Sequence, residues 1–227
     1  MTTTPTPISN ESQAIQQASR LTKLDTLTQS ITAHRISVHD ERTPFIWKHY
    51  VGKEAWSVDF NDVSLRFKSA IPSFEDKYTR RFAVLLDERN GQLISVTSRF
   101  DGQDPDLREQ PSGAAAESQL SAEEEIYYGL PEQGPKLTFL DALEVVLNQG
   151  IGSPFFAKEI YGNYVMHSRG GSPQRAVWVI TLRGLPPIPA HGSRGDSIPA
   201  WQRNHMRNVV DDEAGVNLFS TNSPQPE

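Results

Sequence analysis

One turn is written twice in this chain. Leu85-Leu86-Asp87-Glu88-Arg89-Asn90-Gly91 and Val209-Val210-Asp211-Asp212-Glu213-Ala214-Gly215 each place two apolar residues before an Asp, with a Gly four positions after it. Asp87 and Asp211 stand 124 residues apart, and so do Gly91 and Gly215. Gly supplies the backbone freedom a tight connection needs, and an Asp that opens a turn accepts its free N–H groups. Residues 81–86, 92–98, 205–210 and 216–220 flank the two turns and carry strand-type composition. Each turn is therefore read as a link between antiparallel strands, with Asn90-Gly91 a strong hairpin signal because both positions tolerate positive φ.

The correspondence reaches further back. Trp56 in AWSVDF lies 35 residues before Gly91, and Trp178 in VWVITL lies 37 before Gly215. A helix is expected ahead of each set of strands. In the first half Ala14, Ala18, Leu21, Leu24, Leu27 and Ile31 recur every three or four residues. In the second, Thr138 caps a helix with Asp141 in its first turn, Phe139, Leu140, Leu143, Val146 and Leu147 form its apolar face, and Gly150 is its stop. The expected fold class is thus α+β: an internal duplication giving two similar modules, each a helix packed on an antiparallel sheet of four or five strands. The modules are placed at residues 10–100 and 137–222, with tails at 1–9 and 223–227.

Residues 101–136 join them. This segment holds nine Asp or Glu against two Lys or Arg, which more than accounts for a chain net charge of -6. Its Pro, Gly, Ser, Gln and Glu content suits a linker. Ser121-Ala122-Glu123-Glu124 reads as a capping box opening a short helix over Ile126, Tyr127, Tyr128 and Leu130. With the acidity confined here, the chain has no basic footprint for nucleic acid. No apolar run approaches the ~18 residues of a membrane helix, so no membrane insertion is expected. Met1-Thr2-Thr3-Thr4-Pro5-Thr6-Pro7 has neither the basic start nor the apolar core of a secretory signal. With Met1 as the natural start, the expected compartment is the cytoplasm; a removed signal would make it extracytoplasmic.

A helix, a strand containing W-x-V (Trp56) or W-V-I (Trp178), then V-V-D-x-x-x-G and a final strand resembles the PepSY domain and its relatives. The resemblance covers residues 10–100 and 137–222 as two tandem copies. It implies a helix-on-sheet unit of the kind found in propeptides of secreted peptidases and in bacterial envelope proteins, associated with inhibition or protein binding. It carries no catalytic residues.

The residues themselves point away from chemistry. There are no cysteines, which excludes disulfides, thiolate catalysis and cysteine zinc sites. His34, His39, His49, His167, His191 and His205 form neither H-x-x-x-H nor H-E-x-x-H, so neither a metal site nor a cofactor is expected. Asp87, Asp211 and Asp212 are read as turn residues rather than as a carboxylate or metal site. Arg169-Gly170-Gly171-Ser172 leads into a strand, not a helix, and reads as a hairpin turn rather than a phosphate cradle. Arg194-Gly195-Asp196 lies in a Gly- and Ser-rich loop and is given no weight.

The best candidate contact surface is the proline-rich loop between Arg183 and Trp201. Its prolines cannot donate to a sheet ladder, and Pro186-Pro187-Ile188-Pro189 favours polyproline geometry with little entropy left to lose on binding. Leu185, Pro186, Pro187, Ile188 and Trp201 are the protein-binding candidates; the competing reading folds the loop over its own sheet and buries Trp201 there. The functional expectation is a non-catalytic module, inhibitory or regulatory, that binds another protein through loops and sheet edges. The alternative is a structural subunit of a larger assembly, and a third reading is an enzyme with a site between the two modules.

Overall fold

The computed structural model describes residues 6–38, 50–66, 77–100, 126–148, 157, 159–169, 172–183 and 205–223. The elements run α1 (Glu11–Thr22), β1 (Ser30–Ser37), β2 (Glu54–Arg66), β3 (Lys77–Asp87), β4 (Leu93–Phe100), β5 (Ile126–Gly129), α2 (Phe139–Asn148), β6 (Glu159–Arg169), β7 (Arg175–Arg183), β8 (His205–Asp211) and β9 (Asn217–Ser223). A 3₁₀ turn, Leu24–Leu27, follows α1.

The strands form one antiparallel sheet in the order β1-β2-β3-β4-β6-β7-β8-β9. This corrects the expectation of two similar modules, each a helix packed on its own antiparallel sheet: the fold is dominated by a single continuous sheet. The joint is β4 on β6, pairing Val96 with Gly162 through Arg99 with Glu159. A strand edge carries unpaired N–H and C=O groups, and joining two edges satisfies both rows. A single apolar cluster underlies the joint, drawing Ala14, Leu21, Trp56 and Phe82 from the first half and Phe139, Leu143, Trp178 and Ile180 from the second. Phe139 does the bridging. Its ring centroid lies 5.7 Å from that of Phe82 and 5.8 Å from that of Trp178. Lys23 and Asp141, 3.0 Å apart, tie the end of α1 to the start of α2.

Both helices begin as their residues dictate, and α1 stops earlier than periodicity suggests. Asn10 accepts from the Gln13 N–H at 3.0 Å, and Gln13 reaches back to the Ser9 N–H at 2.8 Å. Helix α1 ends where Lys23 turns left-handed at φ 59 and donates its N–H to Ser19. Leu24 is fully buried in the following turn and Ile31 lies on β1, so the apolar repeat runs through a helix, a turn and a strand. Helix α2 opens on a capping box: the Thr138 N–H donates to Asp141 Oδ2 at 3.0 Å and the Asp141 N–H returns to Thr138 Oγ1 at 3.4 Å. Residues 126–129 form a strand on β6, not a helix; Ser121 to Glu125 and Gly150 lie outside the described residues.

Both turns are built alike. The Gly91 N–H donates to the Asp87 carbonyl at 2.8 Å and the Gly215 N–H to the Asp211 carbonyl at 2.9 Å, with φ of 66 and 64 at the two glycines. The expected hairpin links β3 and β4, and of Asn90 and Gly91 only the glycine takes positive φ. A bulge follows each turn, at Ile94 between the Leu86–Leu93 and Leu85–Ser95 pairs and at Leu218 between Val210–Asn217 and Val209–Phe219. Trp56 faces Leu86 and Trp178 faces Val210, and each indole N–H donates to a carbonyl ahead of a helix, Ile8 at 3.3 Å and Leu137 at 3.0 Å. Trp56 is 5% exposed and Trp178 is fully buried, so both sit in the core.

Candidate functional site

The three turn aspartates are structural. Asp211 Oδ1 accepts from the Glu213 and Ala214 N–H groups, each at 2.9 Å, and Oδ2 from Arg175 at 2.9 Å. Asp87 accepts from the Arg89 N–H and guanidinium, both at 2.9 Å. Asp212 takes the Leu137 N–H at 2.9 Å, the Lys136 N–H at 3.0 Å and the Tyr164 hydroxyl at 3.0 Å, clamping the approach to α2 against the last hairpin.

Burial pushes the Asp87 and Asp211 carboxyls up. At Asp87 the Arg89 side-chain and backbone hydrogen bonds outweigh it; at Asp211 the Ala214 N–H and Arg175 do. Both groups are held below the ordinary carboxylate value. A carboxyl that titrates lower when folded contributes fully above its unfolded pKa, about 3.9, and that contribution is lost as pH falls through the folded values. The double variant Asp87→Asn/Asp211→Asn should therefore be less stable at neutral pH and show a shallower decline of Tm below about pH 4. An unchanged acid slope would remove these two groups from the account.

Among the described residues a recess with binding character lies on the helix side, where β4 and β6 part. Their pairing begins only at Val96 and Gly162, and ahead of it the Asn163 side-chain amide reaches the Ile94 carbonyl at 3.3 Å. A groove of about 620 Å³ opens nearby. Helix α1 lends it Gln13, Gln16, Gln17 and Arg20, spaced to share one helical stripe. The Asn90–Leu93 turn, the segment 131–135, Tyr50 and Tyr164 complete the lining, with Ile8, Leu21 and Leu93 as apolar surface.

Some of these polar groups hold the groove together and others are free. Gln17 Nε2 donates to the Gly91 carbonyl at 2.8 Å, and Gln17 Oε1 accepts from Arg20 Nε at 3.1 Å. Gln92 reaches the Pro131 carbonyl at 3.4 Å. The side chains of Gln16 and Gln133 make no hydrogen bond among the described residues. Burial, then the Asp87 charge, pushes the Tyr50 hydroxyl up to about 12; burial and the neighbouring Asp212 raise Tyr164 as well. Both phenols thus stay protonated at neutral pH. Amide groups and neutral hydroxyls over apolar surface can hydrogen-bond a ligand's donors and acceptors alike.

The candidate residues Leu185, Pro186, Pro187, Ile188 and Trp201 lie outside the described residues, as do His39, His49 and His191. His34 is half-exposed, 3.6 Å from Asp59, and His167 is buried with its ring 5.4 Å from that of Phe219. Among the described residues no three His, Asp or Glu side chains gather to hold a metal ion, and no helix is long and apolar enough to cross a membrane. Sequence reasoning missed the groove because its residues are scattered between Thr6 and Tyr164; the Gln13, Gln16, Gln17, Arg20 stripe was its one local signal. A scan against family models finds no match, and searches of curated proteins and of solved structures find none either.

Proposed function

We propose that this chain is a non-catalytic protein-binding domain that receives an extended segment of another protein in the groove beside the β4–β6 joint. The observation that carries this reading is the lining: unengaged amides at Gln16 and Gln133, the Arg20 cation and protonated tyrosines around apolar surface. Side-chain amides offer a donor and an acceptor together, matching the alternating groups of a peptide main chain.

The test is affinity capture from the source cell with the wild-type chain and with Gln16→Arg/Gln133→Glu, both substitutions lying on exposed positions. Proteins held in the groove should be depleted at least tenfold in the variant capture by quantitative mass spectrometry, about 1.4 kcal/mol of binding. Identical protein sets from the two chains would overturn the groove as the binding site.

A further inference from the structure

Both outer strands of the sheet are free of the residue types that most often keep an edge single. Strand β1 reads Ser-Ile-Thr-Ala-His-Arg-Ile-Ser and β9 reads Asn-Leu-Phe-Ser-Thr-Asn-Ser, with no Pro, Gly or Lys in either. Their one permanent charge, Arg35, is occupied: it lies 2.7 Å from Glu88 and 5.2 Å from the centre of the Trp56 ring. A strand of this composition, carrying neither Pro nor Lys, is a template for pairing. Apolar side chains border one of the edges. Val216 is 48% exposed and Leu218 37%, whereas Ile94, the matching bulge residue of β4, is 3% exposed.

The molecule already contains the joint that such pairing would make. Strands β4 and β9 each follow the Asp-to-Gly turn and carry their bulge at the second residue. Strands β1 and β6 each flank a tryptophan strand, with Arg35 facing Trp56 and Tyr164 facing Trp178. Inside the chain Val96 pairs with Gly162, Thr97 with Tyr161 and Ser98 with Ile160. Carried to the outer strands, that register sets Ser220 opposite Ala33, Thr221 opposite Thr32 and Asn222 opposite Ile31 of another copy. Ala33 then stands in the place of Gly162, again a small residue. His34, whose side chain is 57% exposed, takes the place of Asn163 beside the carbonyl of the bulge residue. Strand directions agree, because successive antiparallel pairings run β1 and β6 the same way and β9 against both.

We propose that β9 of one copy pairs antiparallel with β1 of a second copy of this chain, continuing the sheet head to tail as β4 continues into β6. Such an interface joins two different surfaces, so it propagates instead of closing as a symmetric dimer. It leaves the groove free and does not depend on the reading given to it.

The experiment is light scattering across a concentration series on the full chain, with Leu218→Lys to charge the β9 edge and His34→Lys to charge the β1 edge. Circular dichroism melts establish that each variant is folded. The wild type should grow in mass with concentration beyond a dimer, and each variant alone should associate at least tenfold more weakly. Mixed in equal amounts, the two variants should form a one-to-one dimer of wild-type affinity, because one intact β9 edge meets one intact β1 edge. A wild-type chain that stays monomeric throughout would overturn the proposal. So would association blocked by only one of the two variants, or a mixture that gives no dimer, since either result points to symmetric pairing or to another surface.

Discussion

Trp178→Ala is expected to lower the melting temperature of the entire chain in one transition, not of its C-terminal half alone. The indole is fully buried, with ring centroids of Phe139 at 5.8 Å and Tyr164 at 5.6 Å, and its N–H holds the Leu137 carbonyl at 3.0 Å. Truncating a buried Trp costs about 3–5 kcal/mol, a large share of the margin of a typical domain. Two independent modules would confine that loss to one of them. Here the sheet is continuous and Phe139 belongs to both halves, so the loss is shared. Calorimetry checks this: the wild type and Trp178→Ala should each give a single peak, displaced downward in the variant. Two peaks, of which only one moves, would show that the halves melt separately.

The second large effect is expected at Gly162. This residue pairs with Val96 on one side and Ile180 on the other, and α2 passes directly over it. A Cβ at this position would lie 2.5 and 2.7 Å from two carbons of the Phe139 ring, which is fully buried and packed against Phe82 and Trp178. The ring has nowhere to go. Gly162→Ala should cost about 1–3 kcal/mol as overpacking, and Gly162→Val, with two more carbons, should prevent the joint from forming. Phe139→Leu in the Gly162→Ala background should restore part of the loss, a coupling that a double-mutant cycle on denaturant unfolding measures. A cost for Gly162→Ala within about 0.5 kcal/mol, the range of a neutral surface change, would mean that α2 does not sit this close.

The parts of the fold that were legible are those specified by neighbouring residues. The turns at Asp87 and Asp211 and the Thr138 cap with Asp141 in the first turn of α2 all follow from local chemistry. What misled was periodicity carried across a boundary. Leu24, Leu27 and Ile31 keep the helical spacing although the helix ends at Thr22, because a buried 3₁₀ turn and a strand then present apolar residues to the same core. Ile126 to Gly129 joins β6 as a strand, since that edge beyond the β4 pairing had backbone groups to satisfy. The fusion of the halves was hidden for a related reason. Alternation along β4 and β6 shows which face is buried but not which strand lies alongside. The groove was harder still, because Arg20, Gln92, Gln133 and Tyr164 meet only once the sheet is one.

The clamp made by Asp212 also bears on the order in which a ribosome delivers this molecule. Helix α1 finds its partners early: Ile8 donates its N–H to Glu88, and Gln17 reaches Gly91. Both contacts are available once the first turn has emerged. Helix α2 must wait, because the N–H groups of Lys136 and Leu137 close onto a carboxylate that is 76 and 75 residues further along. Vectorial synthesis, which folds chains from the N-terminus, thus leaves the β4 edge without its partner until β6, which ends at Arg169, has been made. The carboxylate that clamps the approach to α2 comes after β6, so the joint can pair before that approach is fixed.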